Sequence, residues 1–185
     1  MPLDGRNGHL DSGPGFDIAV IGGTTENNAV SRWDGITVIN GPTLSVTAEN
    51  LERLEFENGF LGFDDTAERA YRLYEAAFGR DPDEEGLGYW IGEIDQGMNF
   101  NEVASRFIDS NEFESRYGKN PSNTVFIENV YINVLDRLPD EEGRQYWNGQ
   151  LDSNMARNEV LARFSDSEEN RAKVANEIDD GVFYV

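Results

Sequence analysis

Apolar positions over residues 16–63 come in short β-branched and aromatic runs, and from residue 64 onward they recur at the spacing of a helix. The runs 16–21, 29–33, 35–40, 44–47 and 51–56 are separated by Gly22-Gly23, Asp34-Gly35 and Gly41-Pro42, the signature of strands joined by turns. They predict a small antiparallel meander. Leu51 and Leu54 break strict alternation, so a turn of helix is expected before the last of these strands, and Asn58-Gly59 supplies a hairpin turn into 60–63. Residues 1–15, rich in Gly, Asp, Asn and Pro, read as a turn-rich or disordered lead-in.

Beyond Asp64-Asp65, Ala70, Leu73, Tyr74, Ala77 and Phe78 form one apolar stripe. Ile127, Val130, Tyr131, Val134 and Leu135 occupy the same places at an offset of 57 residues, and 69–114 aligns with 126–171 without a gap, 20 of the 46 pairs being identical. A unit written twice at this period points to stacked supersecondary structure, because one copy alone cannot bury its apolar face. Each copy predicts four helices. Pro82 and Pro139 end the first, and Asp83 and Asp140 cap the second by accepting backbone N–H bonds. The second carries Tyr89-Trp90 or Tyr146-Trp147, and the third Val103 and Phe107, or Val160 and Phe164. Asp109 with Glu112, and Asp166 with Glu169, have the spacing of a capping box that opens the fourth. The expected fold class is α+β: a β region over residues 1–63, then a duplicated all-α domain over 64–185 with repeats at about 69–117 and 126–174.

Charge narrows the partners. Fifteen basic residues against 36 acidic ones give a net charge of −21, which repels nucleic acid and anionic membrane surfaces. No segment has the length of a membrane-spanning helix. The absence of cysteine excludes disulfides and thiolate metal sites, and the N-terminus lacks the basic and apolar stretches of a secretory signal peptide. Most of the carboxylates read as a solvated acidic surface; a few could collect calcium.

Two stretches are candidates for that role. In the loop 80–86, Asp81, Asp83, Glu85 and Gly86 match the first, third, fifth and sixth places of an EF-hand loop, but the twelfth place is Gly92 and the second copy has Leu138 at the first. A helix cap favoured by the helix dipole is the preferred reading, with Arg80 and Arg137 bracing the turn through a carboxylate. Near the N-terminus, Gly13, Gly15 and Asp17 form a Gly-x-Gly-x-Asp turn that resembles the last turn of a calcium-binding nonapeptide repeat of the RTX class. One copy is at best half a site, and Asp4-Gly5-Arg6-Asn7-Gly8 is a decayed version of its neighbour. Trp90 and Trp147 read as core, whereas Tyr89 and Tyr146 are open to a binding role. Catalysis finds no constellation: His9 is the single histidine and lies in the lead-in, and Gly22-Gly23 lacks the later Gly and Lys of a phosphate loop.

The helical part resembles a bacterial repeat domain known as domain of unknown function 4214. The resemblance rests on Gly79-Arg80-Asp81-Pro82-Asp83-Glu84-Glu85-Gly86-Leu87-Gly88-Tyr89-Trp90, with Phe107 and Ser110-Asn111-Glu112-Phe113; the second copy departs from it at Asp136 and Asn170. The stretch 35–59 is similar to the β region that precedes such domains in RTX, or hemolysin-type, calcium-binding proteins. That resemblance implies type I secretion from a Gram-negative bacterium, an extracellular or cell-surface location and calcium ions as partners, with 179–185 as a C-terminal secretion signal or a frayed tail. The expected function is a non-catalytic C-terminal module with a structural, secretion or surface-interaction role, in contact with a cell-surface glycan or protein. The competing expectations are a glycan or surface-polymer binding module, using Tyr89, Tyr146 or Trp33, and the accessory tail of a secreted hydrolase.

Overall fold

A computed structural model describes residues 7–185. Residues 1–6, and with them the Asp4-Gly5-Arg6 part of the decayed turn, lie outside the described residues. The architecture is α+β, strands first and helices after. Contacts divide the described residues into two compact units: 7–68 with 83–88 and 176–185, and 69–82 with 89–175.

Among the described residues, the first unit holds eight strands: β1 (Asn7–Asp11), β2 (Ile18–Val20), β3 (Ala29–Trp33), β4 (Ile36–Asn40), β5 (Ser45–Glu49), β6 (Arg53–Phe56), β7 (Gly59–Gly62) and β8 (Val182–Tyr184). They form two sheets, ordered β1-β5-β4-β3 and β2-β6-β7-β8. The meander expected from sequence is present as the antiparallel pairs β3–β4, β4–β5 and β6–β7. Two features depart from it. Residues 7–11 of the expected lead-in are a strand, and β1 and β2 pair in parallel with β5 and β6. The chain therefore runs β1, turn, β2 and later β5, turn, β6 in the same sense, so that two strand–turn–strand rungs stack in register. Apolar side chains follow the stack: Leu10 faces Ala48, and Ala19 faces Leu54, in a core with Ile21, Ile39, Val46 and Phe56. Residues 51–52 are a non-helical connection rather than the expected helical turn.

The tail is not frayed. Val182 and Tyr184 are buried, β8 pairs antiparallel with β7, and Tyr184 stacks on Phe60 at 5.5 Å. Gly59 and Gly62 let β8 approach, because a Cβ at Gly59 would stand 2.5 Å from the Tyr184 carbonyl oxygen. Arg53, 6% exposed, anchors this unit through Asp64, Nε to Oδ2 at 2.8 Å and Nη2 to Oδ1 at 3.2 Å, a bidentate pair of the strong kind.

The helices are α1 (Asp65–Phe78), α2 (Glu84–Asp95), α3 (Phe100–Ile108) and α4 (Asn111–Tyr117) in the first copy, and α5 (Asn123–Leu135), α6 (Glu141–Asp152), α7 (Arg157–Ser165) and α8 (Glu168–Ile178) in the second. The second unit has one apolar core drawn from both copies. Tyr74, Trp90 and Phe107 meet edge to face at 5.5 and 5.1 Å, and Tyr131, Trp147 and Phe164 repeat the cluster at 4.9 Å each. The two departures of the second copy are accommodated. Asp136 takes the left-handed backbone of Gly79, φ 54° against 56°. Asn170 is fully buried and donates from Nδ2 to the Ser165 carbonyl at 2.9 Å.

Candidate functional site

The duplicated turn is built twice from the same parts. Asp83 Oδ1 accepts from Gly86 N at 2.7 Å, and Asp140 Oδ1 accepts from Gly143 N at 2.7 Å; both carboxylates cap the helix that follows. Arg80 donates from Nε to Glu112 at 2.7 Å and from Nη2 to the Tyr74 hydroxyl at 2.9 Å. Arg137 donates from Nε and Nη2 to Glu169 at 2.6 and 2.8 Å. Each guanidinium lies over its tyrosine ring, at 5.0 Å from Tyr74 and 5.1 Å from Tyr131. These bonds raise the pKa of both arginines, and Arg137 holds the Glu169 carboxyl below its ordinary value. The fourth helices are not opened by the expected capping boxes. Ser110 and Ser167 cap them, accepting from Phe113 N at 3.1 Å and Asn170 N at 3.3 Å, which leaves Glu112 and Glu169 to form the clasps.

Of the candidate calcium residues, Asp83 is held through its carboxylate, and Asp81 and Asp17 through backbone atoms. Asp83 is the cap just described, and the Asp81 carbonyl accepts from Arg80 Nη1 at 3.1 Å. Gly13 and Gly15, with φ of 81° and 145°, turn the chain between β1 and β2. The Asp17 backbone ties this turn to the next rung, its N–H donating to Glu52 Oε2 at 2.8 Å and its carbonyl accepting from Glu52 N and Arg53 N at 3.2 Å. Asp11 Oδ1 accepts from Asn50 Nδ2 at 2.8 Å and Gly13 N at 3.0 Å, bonds that lower its pKa. Among the described residues no group of three or more His, Cys, Asp or Glu side chains is arranged to hold a metal ion. By themselves Gly13, Gly15 and Asp17 supply fewer oxygens than the about six to eight that calcium takes. His9 lies on β1, its Nδ1 3.1 Å from Thr47 Oγ1.

A second locus was not legible from the sequence: the junction between the copies. Helix α3 packs on α7, its own counterpart at the 57-residue offset, and Asn158 Nδ2 donates to the carbonyl of its counterpart Asn101 at 2.9 Å. A contact between equivalent positions is the hallmark of an isologous interface, here within one chain. Two clefts flank it. One, of about 470 Å³, lies between Arg69, Phe100, Asn101, Glu159 and Asp166; the other, of about 300 Å³, lies between Asp109, Phe113, Lys119 and Arg157. In the first, Arg69 lies over Phe100 at 4.1 Å. In the second copy the same two positions hold Phe126 and Arg157, and the cation sits over the ring at 5.0 Å with the roles exchanged.

Asp166 is the hub of the larger cleft. It pairs with Arg72 Nη2 at 2.9 Å, Arg171 Nη2 at 2.8 Å and Arg69 Nε at 3.3 Å. Partial burial opposes its charge, but the Arg72 hydrogen bond and the three guanidinium charges hold its pKa below the ordinary value. Glu159 is paired with Arg163 at 2.7 Å. The lining is thus a set of ion pairs in which Arg69 Nε is buried without a hydrogen bond of its own, with no nucleophile set against a base. Exposed aromatics lie elsewhere: Tyr89 is 58% and Tyr146 52% exposed, each edge-on to the neighbouring Trp at 4.9 and 5.1 Å, and Trp33 on β3 is 55% exposed.

Compared with known families, residues 104–174, from within α3 to within α8, match the one described as Domain of unknown function (DUF4214). The stretch covers the end of the first copy and nearly all of the second, and is similar to that family over less than half of the chain. Among curated proteins none matches. No helix among the described residues is long and apolar enough to cross a membrane.

Proposed function

We propose that this chain is a non-catalytic module of a secreted, RTX-like calcium-binding bacterial protein, with a structural role in export, folding or contact at the cell surface. One observation carries the reading. Many of the residues that both copies keep are engaged with equivalent partners, in caps, Arg–Glu clasps and a Tyr–Trp–Phe cluster, so what the duplication repeats is framework. The family match over 104–174 supplies a setting and no reaction. Calcium enters through charge: at −21 the chain repels itself, and cations bound outside the cell would favour the compact form. Gly13, Gly15 and Asp17 would contribute part of an oxygen shell that a neighbouring turn completes. Melting of the protein in chelator and in about 1 mM calcium tests this, with a rise of a few degrees expected. Identical melting curves would remove calcium and leave a purely structural module.

A second reading has its own support. Tyr89 and Tyr146, equivalent in the two copies, present half-exposed rings fixed against tryptophans, a form suited to stacking on a neutral sugar face. If it holds, Tyr89→Ala with Tyr146→Ala should abolish retention on neutral polysaccharide; unchanged retention would dispose of it.

A further inference from the structure

Each residue of one helical copy has a counterpart 57 positions away, so the chemistry of a position in one copy shows what the same position can bind in the other. Asp166 is the case in point. It gathers the guanidiniums of Arg69 at 3.3 Å, Arg72 at 2.9 Å and Arg171 at 2.8 Å. Its counterpart Asp109 holds the same place at the end of a helix, the C-cap of α3 as Asp166 is that of α7. The surroundings differ. Where Arg69, Arg72 and Arg171 surround Asp166, the matching positions hold Phe126, Asn129 and Glu114. Phe126 is fully buried, and Asn129 donates from Nδ2 to the Tyr117 carbonyl at 3.2 Å. Among the described residues Asp109 has no ion-pair partner.

Asp109 and Glu114 instead line one cleft of about 300 Å³, together with Ser110, Phe113, Lys119 and Arg157. That volume is at the lower end of ligand pockets. Two carboxylates on one cleft repel each other until a cation stands between them. The cations of the cleft do not supply it. Arg157 donates from Nη2 to the Pro121 carbonyl at 2.6 Å and to Asn123 Oδ1 at 3.3 Å, and lies over the Phe126 ring. Lys119 stands 3.7 Å from Glu114 with its side chain 80% exposed, a pair that contributes little.

The geometry points to a guanidinium supplied from outside: the cleft takes the arginine side chain of a peptide, which bridges Asp109 and Glu114 as the chain's own arginines bind Asp166. A guanidinium suits the place better than an ammonium. Its planar fork meets a carboxylate through two parallel N–H bonds, and its flat face packs on an aromatic ring, as Arg69 packs on Phe100 and Arg157 on Phe126. The net charge of −21 draws a basic peptide toward the chain.

The inference does not rest on the calcium reading, and its test is run in chelator so that the two can fail separately. The full chain is titrated with N-acetyl-arginine amide, and binding is read from the amide signals of Ser110, Glu114 and Lys119. These should shift to saturation, at least ~10-fold more tightly than with the lysine analogue and not at all with the uncharged citrulline analogue. Asp109→Asn and Glu114→Gln should each weaken binding at least ~10-fold. Glu114→Arg, which gives the first copy the residue of the second, should abolish binding and raise the melting temperature by pairing with Asp109. Equal binding of the citrulline analogue, affinity that survives both Asp109→Asn and Glu114→Gln, or no shift at the highest soluble probe concentration would overturn the proposal. So would preference for N-acetyl-aspartate amide, which would make Lys119 and Arg157 the recognition groups, or tighter binding of free arginine, which would make the ligand an amino acid and not a peptide.

Discussion

The two helical copies agree where each is folded upon itself and disagree where each meets the other. Caps, Arg–Glu clasps and the Tyr–Trp–Phe clusters join equivalent residues in both copies, although Trp90 meets Phe107 edge to face and Trp147 meets Phe164 at a tilt. At the junction the pairs diverge. Arg72, 2% exposed, answers to Asn129, which donates to the Tyr117 carbonyl at 3.2 Å. Arg69 over Phe100 answers to Phe126 under Arg157. Asp166 binds three arginines, while its counterpart Asp109 is exposed at the end of α3. The framework is thus present twice, and the contacts that join the copies are not. One difference lies inside a copy: Phe113 and Tyr117 stack at 3.8 Å, with the Tyr117 hydroxyl donating to Ala76 O at 2.9 Å and its pKa pushed by burial up to about 12, where the second copy has Asn170 and Val174.

Four measurements break or sharpen that contrast. The largest effect belongs to the shared cores: Phe107→Ala and Phe164→Ala, both almost fully buried, should each lower unfolding free energy by about 3–5 kcal/mol, and by similar amounts. A loss at one site only would show that the copies are not equivalent in packing. Next comes the junction. Asp166→Asn should remove about 3 kcal/mol by breaking the charged bond to the buried Arg72, whereas Asp109→Asn should change stability by less than about 0.5 kcal/mol.

The same pair of variants has a pH signature. Because the Asp166 pKa is lowered in the folded state, its stabilisation is complete above the ordinary carboxylate value near 4 and fades as pH falls through and below it. Asp166→Asn should flatten that part of the acid-unfolding profile and Asp109→Asn should not. Third, Asp83→Ala and Asp140→Ala should each remove about 1 kcal/mol as lost caps. The smallest effect is at the clasps, where Arg80→Ala and Arg137→Ala should give about 0.5–1 kcal/mol, shrinking in high salt as exposed pairs do.

The sequence made the helical framework legible because its determinants are local. Asp83 and Asp140 precede their helices by one residue, and Pro82 and Pro139 mark the stops. Trp90 and Trp147, partly buried, pack against the core beside Phe107 and Phe164. What it hid depends on partners far along the chain. Residues 7–11 alternate Gly8 and Leu10 with His9, too weak a pattern to announce a strand, and become one by pairing with β5. The tail left a secretion signal and a frayed end both open, because Val182 and Tyr184 are ordered by pairing with the distant β7. Ser110 and Ser167, one residue past the aspartates that seemed to be caps, were missed because both spacings suit a helix start. The Arg72–Asp166 bond, 94 residues apart, has no local sign at all.

One topological fact bears on how the protein is made. β7 and β8 belong to one sheet, yet Gly62 and Val182 are partners separated by about 120 intervening positions. A ribosome must therefore deliver all eight helices before that sheet can receive its last strand. Helices can organise on the emerging polypeptide while β7 waits with an unprotected flank, and any product released short of Val182 would carry that sticky flank into solution.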